Sequence, residues 1–383
     1  MSMNSQRRIY LDWNATGLLL PEVREALVAA LDATVGNASS IHREGQAARA
    51  TVERARRAVS RAINAPMQAV VLTGGATEGN NQVLRDHVRK TAGAHVVCTG
   101  VEHPSVLEVV GALCEEGVRT SIWPVDLRGV LDLGWLDERL AAGVTLVSVM
   151  WANNETGNIH PIAEIAQRVH EAGAIVHVDA TQALGRIAVD FTGAGIDYMT
   201  LSFHKMGGPK GIGAIVVREG FKVAALLQGG HQERGRRPGT ENVAAAAGLE
   251  AAANQLALKA AHWSDQLVVL RTCFLEALLG QLDGVELRGS PEAQLANTLN
   301  LAFQGIDGED LLLALDLEGV AASSGSACTA GSLEPSHVIL AMGYAPAEAR
   351  RSVRFSFGPA TPAEELVEAA GRIARVARRL RQL

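Results

Sequence analysis

The chain of 383 residues has few aromatic side chains, which make up 4% of it, so its core must be built mainly from Ala, Val, Leu and Ile. It has only four cysteines and no Cys-x-x-Cys pair, which argues against a zinc knuckle and a dense disulfide framework. These cysteines are Cys98, Cys114, Cys273 and Cys328. We therefore expect free thiols and no metal site.

Long apolar runs and a basic surface are missing as well. No uncharged apolar run approaches the length of a membrane span, and residues 1–8 have no apolar core like that of a signal peptide. The net charge of −6 gives no support for a nucleic-acid surface. We expect a soluble cytoplasmic protein with neither a nucleic-acid nor a membrane partner.

Glycine is abundant, with 39 residues, as the tight turns of α/β proteins require. Apolar strand-like runs alternate with helical patterns over the first two thirds of the chain, which predicts a mostly parallel sheet covered by helices. The predicted strands are residues 69–73, 94–98, 119–123, 144–150, 174–182 and 213–217. A long helix over 241–280 follows, and strands at 297–303 and 353–357 with helices at 308–317 and 336–342 predict a smaller α+β domain.

The sequence around Lys205 indicates a cofactor site. Lys205 lies between a histidine and a run of glycines, and a predicted strand upstream carries Asp179 at its end. A lysine can form a Schiff base with pyridoxal 5′-phosphate (PLP), and an aspartate can keep the pyridine nitrogen of that cofactor protonated. A surface lysine in a loop is the alternative, and other residues must decide between the two.

Polar residues follow several predicted strands, and the carboxyl ends of parallel strands are where ligands bind in such sheets. Thr77 lies in a glycine-rich turn before a helix and could bind phosphate or simply cap that helix. His103 could face the same edge as Asp179 or be a loop histidine, and Asn154 could contact a cofactor ring or form a turn. Gln182 could face the same ring.

Three residues in the last third of the chain are further candidates. Thr240 ends a Gly- and Arg-rich segment and could approach a phosphate or cap the next helix. Cys328 lies among small residues, which favours an accessible nucleophile over a core cysteine, with a chance surface cysteine as the alternative. Arg354 could bind a carboxylate with both arms of its guanidinium or form a structural ion pair.

An ordered series of motifs resembles the cysteine desulfurases of the NifS/IscS group, in the class V aminotransferase branch of fold-type I PLP enzymes. The series runs through Tyr10-Leu-Asp-Trp-Asn-Ala-Thr16, Gly36-Asn-Ala-Ser-Ser-Ile-His42, Glu102-His-Pro104, Ala152-Asn-Asn-Glu155, His177-Val-Asp-Ala-Thr-Gln182, Ser202-Phe-His-Lys-Met-Gly-Gly-Pro-Lys-Gly211, Arg237-Pro-Gly-Thr-Glu-Asn242, Ser323-Ser-Gly-Ser-Ala-Cys328 and Phe355-Ser-Phe-Gly358. Trp13, Gly17 and Gly79 depart from residues common in the group, as do Thr329 and Ala330 beside the cysteine, and none of these removes a catalytic group.

The resemblance implies a large PLP-binding domain over 16–255, with a mostly parallel seven-stranded sheet, and a small α+β domain from 1–15 and 256–383. Lys205 would bind PLP covalently, Asp179 would pair with its ring nitrogen, and His103 would stack on the ring and move protons. The remaining implied ligands are Ala76 (backbone), Thr77, Ser202, His204 and, across a dimer interface, Thr240 for the phosphate; Asn154 and Gln182 for the ring; and Asn14, Asn154 and Arg354 for the substrate.

The resemblance further implies the reaction and the partners. The enzyme would convert L-cysteine to L-alanine, and Cys328 would take the sulfur as a persulfide for an acceptor such as an iron–sulfur scaffold protein. The protein would be a homodimer. Two alternatives stay open from the sequence: a different PLP reaction on the same fold, such as a selenocysteine lyase or β-lyase, and a carrier that has lost activity.

Overall fold

The structure is a computed structural model that describes residues 7–33, 35–325 and 334–382. Its strands are β1 (Ile9–Tyr10), β2 (Val70–Thr73), β3 (His95–Thr99), β4 (Arg119–Trp123), β5 (Leu146–Met150), β6 (Ile175–Asp179), β7 (Tyr198–Ser202), β8 (Gly213–Val217), β9 (Val285–Arg288), β10 (Thr298–Phe303), β11 (Val320–Ala321) and β12 (Ser352–Ser356). Its helices are α1 (Pro21–Ala33), α2 (Arg43–Ala62), α3 (Ala76–Lys90), α4 (Pro104–Glu115), α5 (Leu133–Ala141), α6 (Ile162–Glu171), α7 (Val243–Leu279), α8 (Gly308–Leu317), α9 (His337–Ala341), α10 (Pro346–Ala349) and α11 (Ala363–Leu380).

The large sheet has seven strands in the order β2-β8-β7-β6-β5-β3-β4, and only β8 runs antiparallel to its neighbours. The predicted mostly parallel seven-stranded sheet is therefore confirmed. Strands β3, β5, β7 and β8 are buried along their whole length because helices cover both faces. The pairing aligns Met150, Asp179 and Thr200 across β5, β6 and β7, so the residues that follow these strands meet at one edge of the sheet.

Helix α6 illustrates how the sequence forms this layer. Its apolar residues recur at helical spacing, and Ile162, Ile165, Ala166 and Val169 are all buried against the sheet, as the pattern predicts. Helix α7 is long enough to contribute to two separate cores: its first half packs with the large sheet, and its second half packs with the small one.

The small sheet has the order β12-β10-β9 and is antiparallel. One face carries apolar residues, among them Leu299, Phe303 and Phe355, which pack into a second hydrophobic core with α7 and α11. Strand β1 pairs in parallel with β11, so the N-terminal chain belongs to this second core through Ile9 and Leu11. The domain boundaries drawn from the sequence stay a prediction.

The packing of Trp13 accounts for the departures from the motif series at positions 13 and 17. Its side chain is buried against Gly17 and Gly358. A Cβ atom at Gly17 would lie 2.6 Å from Nε1 of Trp13, and one at Gly358 would lie 2.3 Å from the indole ring. The indole therefore fits only because both positions are glycine.

Two further observations concern membrane-spanning helices and disulfides, which the sequence predicts to be absent. None of the helices within the three described ranges has the length and apolar character required to cross a membrane. The three cysteines that the structure describes are free thiols: Cys98 is buried, Cys114 is exposed and Cys273 is half-buried.

Candidate active site

A cavity of about 790 Å³ lies at the carboxyl edge of the large sheet, facing the small sheet. Its volume is in the range of small-molecule and cofactor sites. The cavity brings together residues that are up to 340 positions apart in the chain. The predicted site residues in its wall are Asn14, Ala76, Thr77, His103, Asn154, Asp179, Gln182, Ser202, His204, Lys205 and Arg354.

Asp179 is the last residue of the buried strand β6, and its carboxylate faces the cavity from the sheet. Oδ2 accepts a hydrogen bond of 2.9 Å from Nδ2 of Asn80, and Oδ1 accepts one of 3.0 Å from the backbone N–H of Thr181. Both partners are donors, so each carboxylate oxygen has a defined hydrogen-bond partner. The carboxylate is therefore fixed in position and suited to pair with a protonated ring nitrogen.

Lys205 lies in a short 3₁₀ turn, Phe203–Met206, that directly follows β7. Its Nζ donates to the backbone carbonyls of Asn14 and Ala15, each at 2.7 Å. Gly207 ends the turn at φ 82°, a conformation in which other residues are strained. The lysine thus lines the same cavity as Asp179, on the side where the N-terminal chain passes.

The far end of the cavity is suited to a phosphate group. Gly74 and Gly75 connect β2 to the N-terminus of α3, where free backbone N–H groups and the helix dipole attract anions. A Cβ atom at Gly213 would lie 2.5 Å from the backbone of Gly75, so this close approach requires glycine. Helix α3 has Gly75 as its N-cap, and the alternative that Thr77 is the cap is wrong.

His204 contributes to the same end of the cavity. Burial and, to a smaller extent, the nearby cations Lys205, Lys210 and Arg186 together lower its pKa to about 4. The imidazole is therefore neutral at physiological pH, and its Nδ1 lies 3.1 Å from Oγ1 of Thr16. Positive charge in this part of the cavity wall therefore comes from Lys205 and Lys210 and not from the histidine.

Arg354 lies on β12 and reaches the cavity from the small sheet, with 1% of its side chain exposed. Its Nη2 pairs with Oδ1 of Asp12 at 2.7 Å, and Nη1 donates to the backbone carbonyls of Asn154 and Gly325 at 3.0 Å. The ion pair considered from the sequence is present. Because Nε has no partner among the described residues, the guanidinium still has a donor for a ligand.

The chain matches one known protein family over most of its length. The family model described as "Aminotransferase class-V" matches residues 9–368. The chain belongs to the class-V aminotransferase family. Enzymes of this family use PLP, so PLP is the cofactor for which the cavity must be tested.

Curated relatives and solved structures agree with this family. The chain is 44% identical over 349 residues to a cysteine desulfurase of Trichormus azollae, which covers 91% of this chain and 87% of the relative. It is 40% identical to the cysteine desulfurase NifS of Azotobacter vinelandii, with 94% and 90% covered. A solved NifS-like protein matches with a TM-score of 0.90 at 30% identity and covers 96% of this chain and 99% of that one. A structure described as SspA in complex with cysteine matches with a TM-score of 0.82 at 28% identity, with 91% and 99% covered.

The residues of the cavity fit the family cofactor. Oδ1 of Asn154 and Oε1 of Gln182 are buried polar atoms with no hydrogen-bond partner within the described part of the chain, and both residues line the cavity. Such orphaned atoms are costly unless a ligand pairs with them. A ring with polar substituents between Asp179 and these two amides would satisfy them.

Of the remaining predicted residues, Thr240 lies outside the main cavity and Cys328 is not among the residues that the structure describes. Thr240 lines a neighbouring cavity that shares Gly74 and Gly211 with the main one, and it does not cap α7, whose N-cap is Asn242. The capping alternative for Thr240 is therefore wrong. Cys328 lies outside the described residues; Gly325, three positions before it, and His337 beyond it line the main cavity.

The structure also reveals buried acids that the sequence patterns did not single out. Glu102 is fully buried, burial raises its pKa to about 8, and its Oε1 accepts from Oγ1 of Thr99 and the N–H of Met150, each at 2.7 Å. Glu155 is also buried, and burial raises its pKa; it accepts a hydrogen bond from the Ser336 hydroxyl. Both acids belong to motifs of the series, Glu-His-Pro and Asn-Asn-Glu. Membership of these motifs is the feature of the sequence by which they could have been found.

Proposed function

We propose that this chain is an L-cysteine desulfurase that releases L-alanine and retains the sulfur as a persulfide on Cys328. One observation carries the proposal: the two stretches that flank the segment with Cys328 reach the cavity at Gly325 and His337, beside Lys205 and Arg354. The relatives that share this cavity's motifs are named cysteine desulfurases, and one similar structure is described as a complex with cysteine.

The cofactor part of the proposal assigns a role to each wall of the cavity. PLP, when bound, supplies the electron sink that makes the Cα proton of an amino acid removable. Asp179 would hold the ring nitrogen, and Lys205 would attach the cofactor covalently. Asn154 and Gln182 would hold the polar substituents of the ring, while Thr77, Ser202, His204 and the backbone at Ala76 would hold the phosphate.

Arg354 would bind the substrate carboxylate. Its guanidinium is already oriented by Asp12 and two backbone carbonyls, so little conformational freedom is lost when the ligand binds. Asn154 and Asn14 adjoin it, since Nδ2 of Asn14 donates to the carbonyl of Asn154 at 3.0 Å. An α-amino acid held in this way places its side chain toward the part of the cavity wall formed by Gly325 and His337.

The sulfur would leave through Cys328. Its thiolate attacks the sulfur of the bound cysteine, an S–S bond forms, and the bond between Cβ and sulfur breaks. Protonation of the carbon skeleton then yields alanine, so the overall reaction is cysteine plus enzyme thiol to alanine plus enzyme persulfide. A cysteine that attacks and then passes on its sulfur must be an accessible thiolate. Lys205 and His103 are the candidates for proton transfer.

The test compares two cysteine variants of the holoenzyme. Wild type should form alanine from L-cysteine and release sulfide when a thiol reductant is present. Cys328→Ala should lose sulfide release, while Cys114→Ala, at an exposed position on α4, should behave as wild type. If Cys328→Ala releases sulfide from cysteine at the full rate, a β-lyase reaction replaces the proposal; preference for selenocysteine as substrate would point to a selenocysteine lyase.

A homodimer is part of the proposal, because Thr240 lines a cavity beside the main one and could serve the cofactor of a second copy. Exposed apolar side chains on and after α1, including Leu31 and Ile41, are consistent with a covered surface. Molar mass measured by light scattering should be twice that of the 40.4 kDa chain. Thr240→Ala should weaken PLP binding; a monomer that binds PLP with full affinity would exclude the shared site.

The acceptor of the sulfur is proposed from the relatives. Because NifS and IscS are the names of similar proteins, we propose an iron–sulfur scaffold protein in the cytoplasm as the acceptor. Radiolabelled sulfur loaded onto Cys328 should pass to a purified scaffold protein and not to a scaffold whose cysteines are replaced by serine. Labelling of both would mean that the transfer is unspecific.

A further inference from the structure

The ring of His103 is held by two contacts on the same nitrogen. His103 is the N-cap of α4, and the backbone N–H of Ser105 donates to its Nδ1 at 3.1 Å. The hydroxyl Oγ of Ser105 lies 2.8 Å from the same Nδ1. Because a backbone N–H can only donate, Nδ1 must present its lone pair. A neutral imidazole carries one ring proton, so that proton lies on Nε2.

Asn80 fixes the direction of the Ser105 hydroxyl. Asn80 is fully buried; its Nδ2 donates to Oγ of Ser105 at 2.8 Å and to Oδ2 of Asp179 at 2.9 Å. Its Oδ1 accepts from the hydroxyl of Thr200 at 2.5 Å. A flipped amide would place an oxygen against the Asp179 carboxylate, so the orientation is determined. Since Oγ of Ser105 accepts from Asn80, its own hydrogen is directed at Nδ1 of His103.

The hydrogen bonds, the helix position and the burial of this imidazole all oppose its protonation. An added proton on Nδ1 would meet two donors and place a positive charge at the N-terminus of α4, where the helix dipole disfavours it. Burial lowers the pKa of His103; Asp179 on β6 partly raises it, and Lys205 and His337 lower it again. Among the described residues, these three are the titratable groups from neighbouring elements whose charges act on the ring.

We propose that His103 carries its single ring proton on Nε2 and acts there as a neutral hydrogen-bond donor, and that Asn80 is the positioning residue for this state. A neutral imidazole at a helix N-terminus can stabilise negative charge that develops on a substrate atom. It cannot act as a base, because Nε2 already carries a proton and Nδ1 is occupied by donors. The catalytic meaning of this inference rests on the proposed desulfurase function, whereas the tautomer is a property of the chain itself.

The tautomer can be measured directly. We expect nitrogen-15 NMR of the holoenzyme with labelled histidine to show a protonated Nε2 and an unprotonated Nδ1 for His103 at neutral and higher pH. The signals are assigned by their absence in His103→Gln. A proton on Nδ1 of His103, or a doubly protonated ring near neutral pH, would overturn the proposal.

A matched pair of asparagine variants tests the role of Asn80. In Asn80→Asp the new carboxylate accepts from the Ser105 hydroxyl, whose lone pair then faces Nδ1 of His103, so the ring loses one of its two donors and its titration should move to higher pH, while the backbone donor keeps Nδ1 unprotonated at high pH. Asn81→Asp makes the same change one residue further along α3, where Asn81 is half-buried and its Nδ2 bonds only to the carbonyl of Thr77 among the described partners. Its ring signals should match wild type, and a folded Asn80→Asp with wild-type signals would refute the role of Asn80.

If Asn80→Asp does not fold, Ser105→Ala tests the same idea. It removes the hydroxyl donor and keeps the backbone donor, so Nδ1 should remain unprotonated at high pH while the titration of His103 moves to higher pH. An unchanged titration curve would show that the hydroxyl does not act on the ring and would overturn the role of the Asn80–Ser105 pair.

Activity separates a hydrogen-bond donor from a proton-transfer group. His103→Gln keeps an N–H donor without a titratable proton, and we expect its kcat/KM for cysteine to stay within about tenfold of wild type. His103→Leu should lose about 100-fold or more, as removal of a positioned catalytic group does. Equal losses in both variants would overturn the assignment. If wild type does not turn over cysteine while the tautomer is as expected, the desulfurase proposal fails and the tautomer assignment stands.

Discussion

Asp12 and Arg354 form an ion pair of 2.7 Å that joins the N-terminal chain to the small sheet at the edge of the cavity. Asp12→Asn keeps a hydrogen-bond acceptor and removes the charge that orients the buried guanidinium. We expect KM for cysteine to rise by about tenfold, equivalent to about 1.4 kcal/mol, with a smaller change in kcat. Steady-state kinetics measures both. Asp316→Asn, in an exposed pair with Arg8, should leave both constants unchanged.

Lys205 should be the lysine that attaches the cofactor. Lys205→Ala should lose the visible absorption that borohydride removes from wild type, because no other amine replaces its covalent bond to PLP. Absorption spectra before and after borohydride measure this. Lys210 also lines the cavity, and Lys210→Ala should keep the borohydride-sensitive absorption. Loss of that absorption in Lys210→Ala alone would mean that the attachment site is wrong.

Buried histidines should make the protein sensitive to acid. Burial lowers the pKa of His160 to about 4, so below its ordinary value of 6.5 the unfolded chain binds a proton that the folded chain does not. The free energy of unfolding is therefore unaffected above about pH 6.5 and falls as the pH drops from there toward 4. In His160→Gln this fall should be shallower, by up to about 1.4 kcal/mol per pH unit, in urea titrations at several pH values. A slope equal to wild type would contradict this.

A buried ion pair stabilises the segment that leads to Thr240. Arg56 binds both carboxylate oxygens of Glu233, at 2.6 and 2.7 Å, and also contacts Glu53, which is partly exposed. Glu233→Ala should lower the free energy of unfolding by about 3–5 kcal/mol because it leaves a buried charge without this partner. Glu53→Ala removes the exposed partner of the same guanidinium and should cost less than about 1 kcal/mol. Similar losses in both variants would contradict the argument from burial.

Gly358 should tolerate no side chain. A Cβ atom there would lie 2.3 Å from the indole of Trp13, so Gly358→Ala should lower the free energy of unfolding by about 1–3 kcal/mol through overpacking. At Gly371, inside α11, a Cβ atom would meet only the end of the Gln281 side chain, at 3.9 Å. Gly371→Ala should therefore raise stability by about 0.5–1 kcal/mol. Opposite signs in chemical denaturation confirm the contact, and equal signs refute it.

The sequence predicted those strands and helices whose burial is visible in the spacing of their own apolar residues. The buried strands and the apolar face of α6 follow directly from spacing. Pairings between distant segments were beyond reach: nothing in Ile9 or Tyr10 indicates that they pair with Val320 and Ala321, because strand pairing is set by the whole core.

In the site, too, some residues could be predicted from local patterns and others could not. Residues with distinctive chemistry at strand ends, such as Asp179 and Lys205, could be found from the sequence. Asn80 could not, because its importance lies in three hydrogen bonds to residues 25 to 120 positions away. Thr240 was given a capping alternative because threonine is a good cap, yet Asn242 caps α7 with its side chain.

Asn14 links the first residues of the chain with the last. Its N–H donates to Ser356, 342 positions away, its Nδ2 donates to Thr298, and its carbonyl accepts from Lys205. During synthesis the N-terminal residues leave the ribosome first, and their partners on β10 and β12 leave near the end. The wall of the cavity that holds the lysine therefore cannot be completed until β12 has been translated, so it forms long after the N-terminal residues have been made.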